Sequence, residues 1–144
     1  EIVEKEIIRD LVDRDIVVIA CGGGGIPVYR EEDGTLEGVD GVIDKDRASA
    51  LLGLEVGASR LFILTAVDKV ALNYGTPAQE DLDKMSVAEA KAYLEAGEFP
   101  SGSMGPKIEA AIQFLEGGGE EVMITSVEKL SEARQGNTGT YITH

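Results

Sequence analysis

One cysteine, one histidine, four prolines and no tryptophan stand among 144 residues, and each scarcity closes a route. With Cys21 alone the chain has no internal disulfide to form, which agrees with a reducing compartment. The single histidine is His144, so neither a histidine general base nor a histidine-rich metal site is expected. Positive charge is also scarce. Thirteen Lys and Arg face 27 Asp and Glu, a formal net charge of -14, and a nucleic acid or an acidic membrane surface would meet a repulsive field. No apolar run approaches the roughly 18 residues of a spanning helix, and EIVEKEIIRD has no basic flank leading into an apolar core. The expectation is a cytoplasmic protein without nucleic-acid or membrane partners.

What the sequence has in quantity is glycine, 18 residues in all. Four of them, Gly22 to Gly25, follow the apolar run IVVIA directly. Hydrophobic residues at 43% and charged residues at 28% are those of a globular chain, and 15.3 kDa suffices for one domain, residues 1–144, burying roughly 70% of its unfolded surface.

Periodicity sets the coarse order. Ile2, Val3, Ile7, Ile8, Leu11 and Val12 recur at helical spacing, and Ile16–Ala20 reads as a buried parallel strand. Residues 29–41 turn polar around Asp33-Gly34, the pattern of a hairpin or flap. Ala48, Leu51, Leu52 and Val56 predict a helix, Leu61–Leu64 a second buried strand. Ser86 with Glu89 forms a capping-box pattern before a helix that Gly97 ends. A further helix starts at Pro106 and stops at Gly117-Gly118-Gly119; strand 121–125, a short helix over 126–134 and strand 140–143 follow. Alternating strands and helices predict an α/β fold with a parallel sheet covered on both faces and ligands beyond the carboxyl ends of its strands.

Three features carry chemistry. Gly22, Gly23, Gly24 and Gly25 free backbone N–H groups to approach an anion, or else make a tight turn. The run matches neither a Walker loop nor a dinucleotide fingerprint, and Pro27 opposes a helix starting directly after it. Lys45, within Asp44-Lys45-Asp46, and Lys107 each fall in the first turn of a predicted helix, where the macrodipole disfavours a cation by a few tenths of a kcal/mol or more. An anion at such a helix start reverses that sign, whereas a solvated lysine needs none. The loop after Thr65 holds Asp68 and Asn73, polar residues able to position a ribose or base, and Tyr74, either a base platform or a packed or surface aromatic, with Lys69 read as solvated.

Taken together, ACGGGGIPV, GVIDKDRASALL, LFILTAVDKVALNYGTP and GSMGPKIEAAIQF, in this order and spacing, resemble the carbamate kinases of the amino acid kinase family. The resemblance covers essentially the whole chain but only the carboxyl-terminal half of that family. It implies a three-layer α/β/α sandwich around a mainly parallel sheet, and phosphoryl transfer between ATP and carbamate, with ATP or ADP carrying Mg2+. By this likeness Lys107 neutralises the transferring phosphate, Lys45 holds nucleotide phosphates and Asp46 orients both. Thr65, Ala66, Val67, Asp68 and Lys69, with Asn73 and Tyr74, would line the nucleoside pocket. Met104 would close over the base, and the four glycines would face carbamoyl phosphate. The same likeness implies that the 144-residue chain alone is inactive and that its partner is the amino-terminal half or a second copy. A nucleotide-binding module without catalysis, and a kinase of another acid such as acetylglutamate, stay open as alternatives.

Overall fold

The structure is a computed structural model that describes residues 1–144. In chain order its elements are α1 (Lys5–Val12), β1 (Val28–Arg30), β2 (Leu36–Gly38), α2 (Lys45–Glu55), β3 (Arg60–Thr65) and β4 (Val70–Leu72). They continue with β5 (Glu80–Leu82), β6 (Lys84–Ser86), α3 (Val87–Glu95), α4 (Met104–Glu116), β7 (Glu121–Ser126), α5 (Leu130–Ala133) and β8 (Thr140–Thr143).

Local chemistry explains where the helices start. Asp44 caps α2, its carboxylate accepting from the Asp46 and Arg47 amides. Ser86 and Glu89 form the reciprocal capping box of α3 that their spacing predicts. α4 begins at Met104, two residues before the expected Pro106, and α5 is shorter than the helix expected over 126–134.

The main sheet has strand order β3-β7-β8-β6 and is mainly parallel, as expected of this α/β class. β3 runs parallel to β7 and β6 parallel to β8, while β8 returns antiparallel to β7. The register places Ile63, Val122, Ile124, Ile142 and Met85 on one face, where they meet Ala50 of α2, Ala90 of α3, and Ile108, Ala111 and Leu115 of α4 in one apolar core. α5 lies on the other face, tied by the Tyr141 hydroxyl donating to the Ala133 carbonyl. Buried Phe114 fixes how closely α2 and α4 approach. Its ring occupies the space that a β-carbon would take at Gly53 and at Gly119. The triple glycine therefore both ends α4 and makes room for this ring.

Two buried threonines anchor the loop after β3. Thr140 Oγ1 accepts from the Val70 amide at 2.8 Å and donates to the Leu82 carbonyl, and Thr125 Oγ1 donates to the Asp68 carbonyl at 3.1 Å. The β4–β5 hairpin is thereby held at the end of the sheet.

Within the first 43 residues the helix and the hairpin form as expected, but the strand does not. Ile16–Ala20 forms no strand, and Val17 and Ile19 are 92% and 99% exposed. An apolar run becomes a buried strand only where neighbouring strands take its backbone groups and another layer covers its side chains. Here no strand lies beside it, and β3 leaves its own outer edge unpaired. α1 likewise buries none of its residues, although the Arg9 guanidinium donates to the Glu55 carbonyl at the end of α2. Residues 28–38 form an antiparallel hairpin, with Val28 opposite Gly38.

Candidate active site

The starts of α2 and α4 converge on one carboxylate oxygen. Lys107 Nζ donates to Asp46 Oδ2 at 2.8 Å, both side chains being about nine-tenths buried. Lys45 Nζ reaches the same oxygen at 3.4 Å from a half-exposed position. Two ammonium groups thus share one acid, at two helix starts whose dipoles are positive. The second acid nearby, Asp44, is already engaged by the amides of α2. A surplus of positive potential is left for an anion, and a charge-assisted hydrogen bond fixes the inner lysine.

Lys107 also borders a cavity of about 400 Å³. Of the residues singled out in the sequence, Thr65, Ala66, Val67, Lys69, Tyr74, Met104 and Lys107 line it. Phe99 and Pro100 add apolar wall, and Glu98 and Ser103 add polar groups. Glu98, Phe99 and Pro100 did not stand out in the sequence, because EFPSG reads as a plain loop after Gly97. Phe99 is nonetheless buried and meets Tyr93 edge-on, with ring centroids 6.4 Å apart. Such a wall combines an apolar body with one charged end, the mixture a small-molecule site requires.

Asp68 and Asn73 do not line this cavity. The Asp68 carbonyl takes the Thr125 hydroxyl. Asn73 sits at φ +51, a left-handed conformation that asparagine tolerates, and its amide donates to Glu98 Oε2 at 3.0 Å. Both shape the loop by backbone. The Lys69 ammonium is paired with Asp83, whose carboxylate raises it above the ordinary lysine value.

The glycine run does not line this cavity but lies against the start of α2, at Ile43 and Asp44. Gly24 is buried at φ +136, its amide donates to the Cys21 carbonyl at 2.7 Å, and a β-carbon there would run into the Ile43 carbonyl. Gly22, Gly23 and Gly25 face open space. Cys21 packs its sulfur 3.8 Å from the Ala48 carbonyl, and burial pushes its thiol up, away from the thiolate that a nucleophile needs.

Residues 1–126 match the sequence model of the amino acid kinase family. The chain belongs to that family. Among curated relatives, a carbamate kinase-like protein from Escherichia coli, YahI, is 49% identical over 141 residues, 98% of this chain and 45% of its own length. A carbamate kinase from Thermococcus kodakarensis is 50% identical over 140 residues, 97% of this chain and 44% of its own. The chain therefore spans under half the length of these relatives. Among solved structures, the carbamate kinase from Giardia lamblia bound to AMP-PNP superimposes with a TM-score of 0.94 at 41% identity, covering 99% of this chain and 45% of that one. The amino acid kinase fold expected from the sequence is the fold found.

Proposed function

We propose that this chain is the nucleotide-binding half of a carbamate kinase-like phosphotransferase. The observation that carries the reading is the Lys107–Asp46–Lys45 cluster, set where a half-apolar cavity meets the start of α4 and Lys107 ties it to the start of α2. Met104, Phe99, Pro100 and Val67 offer the apolar surface that suits a base, and Lys107 stands at the end that suits phosphates. The Giardia relative, solved with AMP-PNP, supports the same assignment.

In the proposed reaction a terminal phosphate oxygen of ADP attacks the phosphorus of carbamoyl phosphate. The P–O bond to the carbamoyl oxygen breaks, carbamate leaves with that electron pair, and ATP results; the reverse reaction retraces the path. No proton has to move at Lys107, Lys45 or Asp46. Phosphoryl transfer is governed by positioning and by stabilisation of charge on the transferred group, so Lys107 would oppose that charge, Lys45 would hold nucleotide oxygens, and Asp46 would keep both ammonium groups in place. No three His, Cys, Asp or Glu side chains are grouped to cage a metal. Mg2+ carried by the nucleotide phosphates would neutralise charge there when bound.

A second reading, nucleotide binding without turnover, rests on the cavity beside Lys107, whose lining is supplied by this chain. Combining the chain with the remaining part of a carbamate kinase tests the first. ATP formation from ADP and carbamoyl phosphate, abolished by Lys107→Ala, is expected. Absence of turnover in the folded complex, or turnover indifferent to Lys107→Ala, rejects it. Saturable binding of ADP and Mg2+ by the chain alone, with no turnover in the complex, would select the second reading.

A further inference from the structure

The second face of the sheet carries a groove that the phosphotransfer reading leaves unused. Its volume is about 680 Å³, and one of its twelve lining residues is hydrophobic. Arg60 of β3 and Lys84 of β6 mark its two sides. Arg134, directly after α5, and the loop Gly136–Gly139 border it as well.

Charge is what distinguishes this groove. In a chain of net charge -14, its lining holds four cations, Arg60, Lys69, Lys84 and Arg134, against two acids, Asp83 and Glu121, a local balance of +2. The two acids are committed. Glu121 pairs with Arg60 at 3.5 Å in cross-strand register, and Asp83 pairs with Lys69. Lys84 and Arg134 form no ion pair, and both are exposed. Lys84 stands in register with Tyr141, the one hydrophobic lining residue, and Asn137 and Thr138 provide further hydrogen-bonding groups.

We propose that this groove is a second binding site, for a small phosphate-bearing polyanion, with Lys84 and Arg134 as its primary contacts. Arg134 presents a planar fork suited to two phosphate oxygens, and Lys84 a point charge suited to a third. Exposure to solvent makes binding modest in affinity and sensitive to salt. Lys69 lines both this groove and the cavity next to Lys107, so an anion here competes with Asp83 for an ammonium that both sites share. That last consequence rests on the nucleotide reading; binding in the groove does not.

Inorganic pyrophosphate without Mg2+, added to the isotopically labelled 144-residue chain at low ionic strength, is the direct probe. Amide resonances of Gly136, Asn137, Gly139, Lys84 and Tyr141 should shift together, with half-saturation at about 1 mM or below. Lys84→Ala with Arg134→Ala should weaken this by about tenfold or more, and since both side chains are exposed, folding is not at risk. Lys45→Ala, at a half-exposed position, should leave these shifts in place, which separates the groove from the cluster on α2 and α4. Shifts that fail to saturate by about 10 mM, shifts confined to the surroundings of Lys45 and Lys107, or equal affinity in the double variant would each overturn the proposal.

Discussion

Lys107 and Asp46 are 61 positions apart in sequence and 2.8 Å apart in space, and their contact joins the first turns of the two longest helices. A buried ammonium with one buried carboxylate partner is a hinge between stability and chemistry. The pair locks α4 against α2 and at the same time holds a cation at the edge of the cavity.

Asp46→Asn keeps the side-chain shape and removes the charge. Lys107 is then left without its counterion, and breaking a buried pair in this way costs about 3 kcal/mol or more. Lys107→Met on that background should recover part of the loss, because the two positions act as a unit. In the assembled enzyme, turnover should fall by about 10² with a smaller change in nucleotide affinity, the signature of a lost transition-state contact. Thermal melting and turnover measured on the same protein separate the roles. Reduced stability with unchanged turnover would reduce Asp46 to a structural residue.

Gly119→Ala tests the packing of Phe114. The ring is fully buried and has no free space to enter, so the added methyl group is expected to cost about 1–3 kcal/mol as overpacking. Phe114→Leu on that background should make the alanine nearly harmless while carrying its own cavity cost. Urea unfolding is the measurement, and an unchanged midpoint for the single variant would show that Phe114 does not set the helix spacing.

The α3 cap gives a pH dependence of known sign. Hydrogen bonds from Ser86, amide first and hydroxyl second, hold the Glu89 carboxyl below its ordinary value of 4.5. A depressed acid contributes stability that is present in full above its unfolded value and is lost as pH falls through the folded one. The melting temperature of the wild type should therefore exceed that of Glu89→Gln at neutral pH, and the gap should close as pH drops below about 4.5. A constant gap from pH 7 to strongly acid conditions would place the effect in packing and not in the charged cap.

The parts of this fold that were legible from sequence are those decided within a few residues or by a motif. Ser86 and Glu89 announce a cap because both partners lie in one turn. Lys45, Asp46 and Lys107 attract notice because charges at helix starts oppose a known dipole, and the structure brings them together. The misses depend on remote partners. Ile16–Ala20 has the composition of a strand, but composition does not supply a neighbour to pair with. The antiparallel return of β8 beside β7 is a pairing that the residues of β8 alone do not announce, and Phe99 joins the cavity wall through its packing in the core beside α3 and α4. Asn73 shows a role that residue type alone does not announce, since its φ of +51 places it in the turn that carries the loop.

The same exposed run makes a prediction about assembly. Val17 and Ile19 are almost wholly solvated, Phe62 and Leu64 of β3 are each 39% exposed, and the outer edge of β3 carries unpaired backbone groups. Apolar surface beside an open strand edge favours association. The net charge of -14 opposes it, but only over the screening length, about 10 Å at 0.1 M salt and about 3 Å at 1 M. Association of the isolated chain should therefore increase with salt, opposite to an assembly held by ion pairs. Light scattering at rising protein and salt concentration should report masses above 15.3 kDa, and Val17→Ser with Ile19→Ser should lower them. Adding the remaining part of a carbamate kinase should compete for the same surface and replace self-association by a complex of fixed stoichiometry. A monomer that persists at high salt and high concentration would show that the open edge and the apolar run recruit nothing, and would count against a docking role for this face.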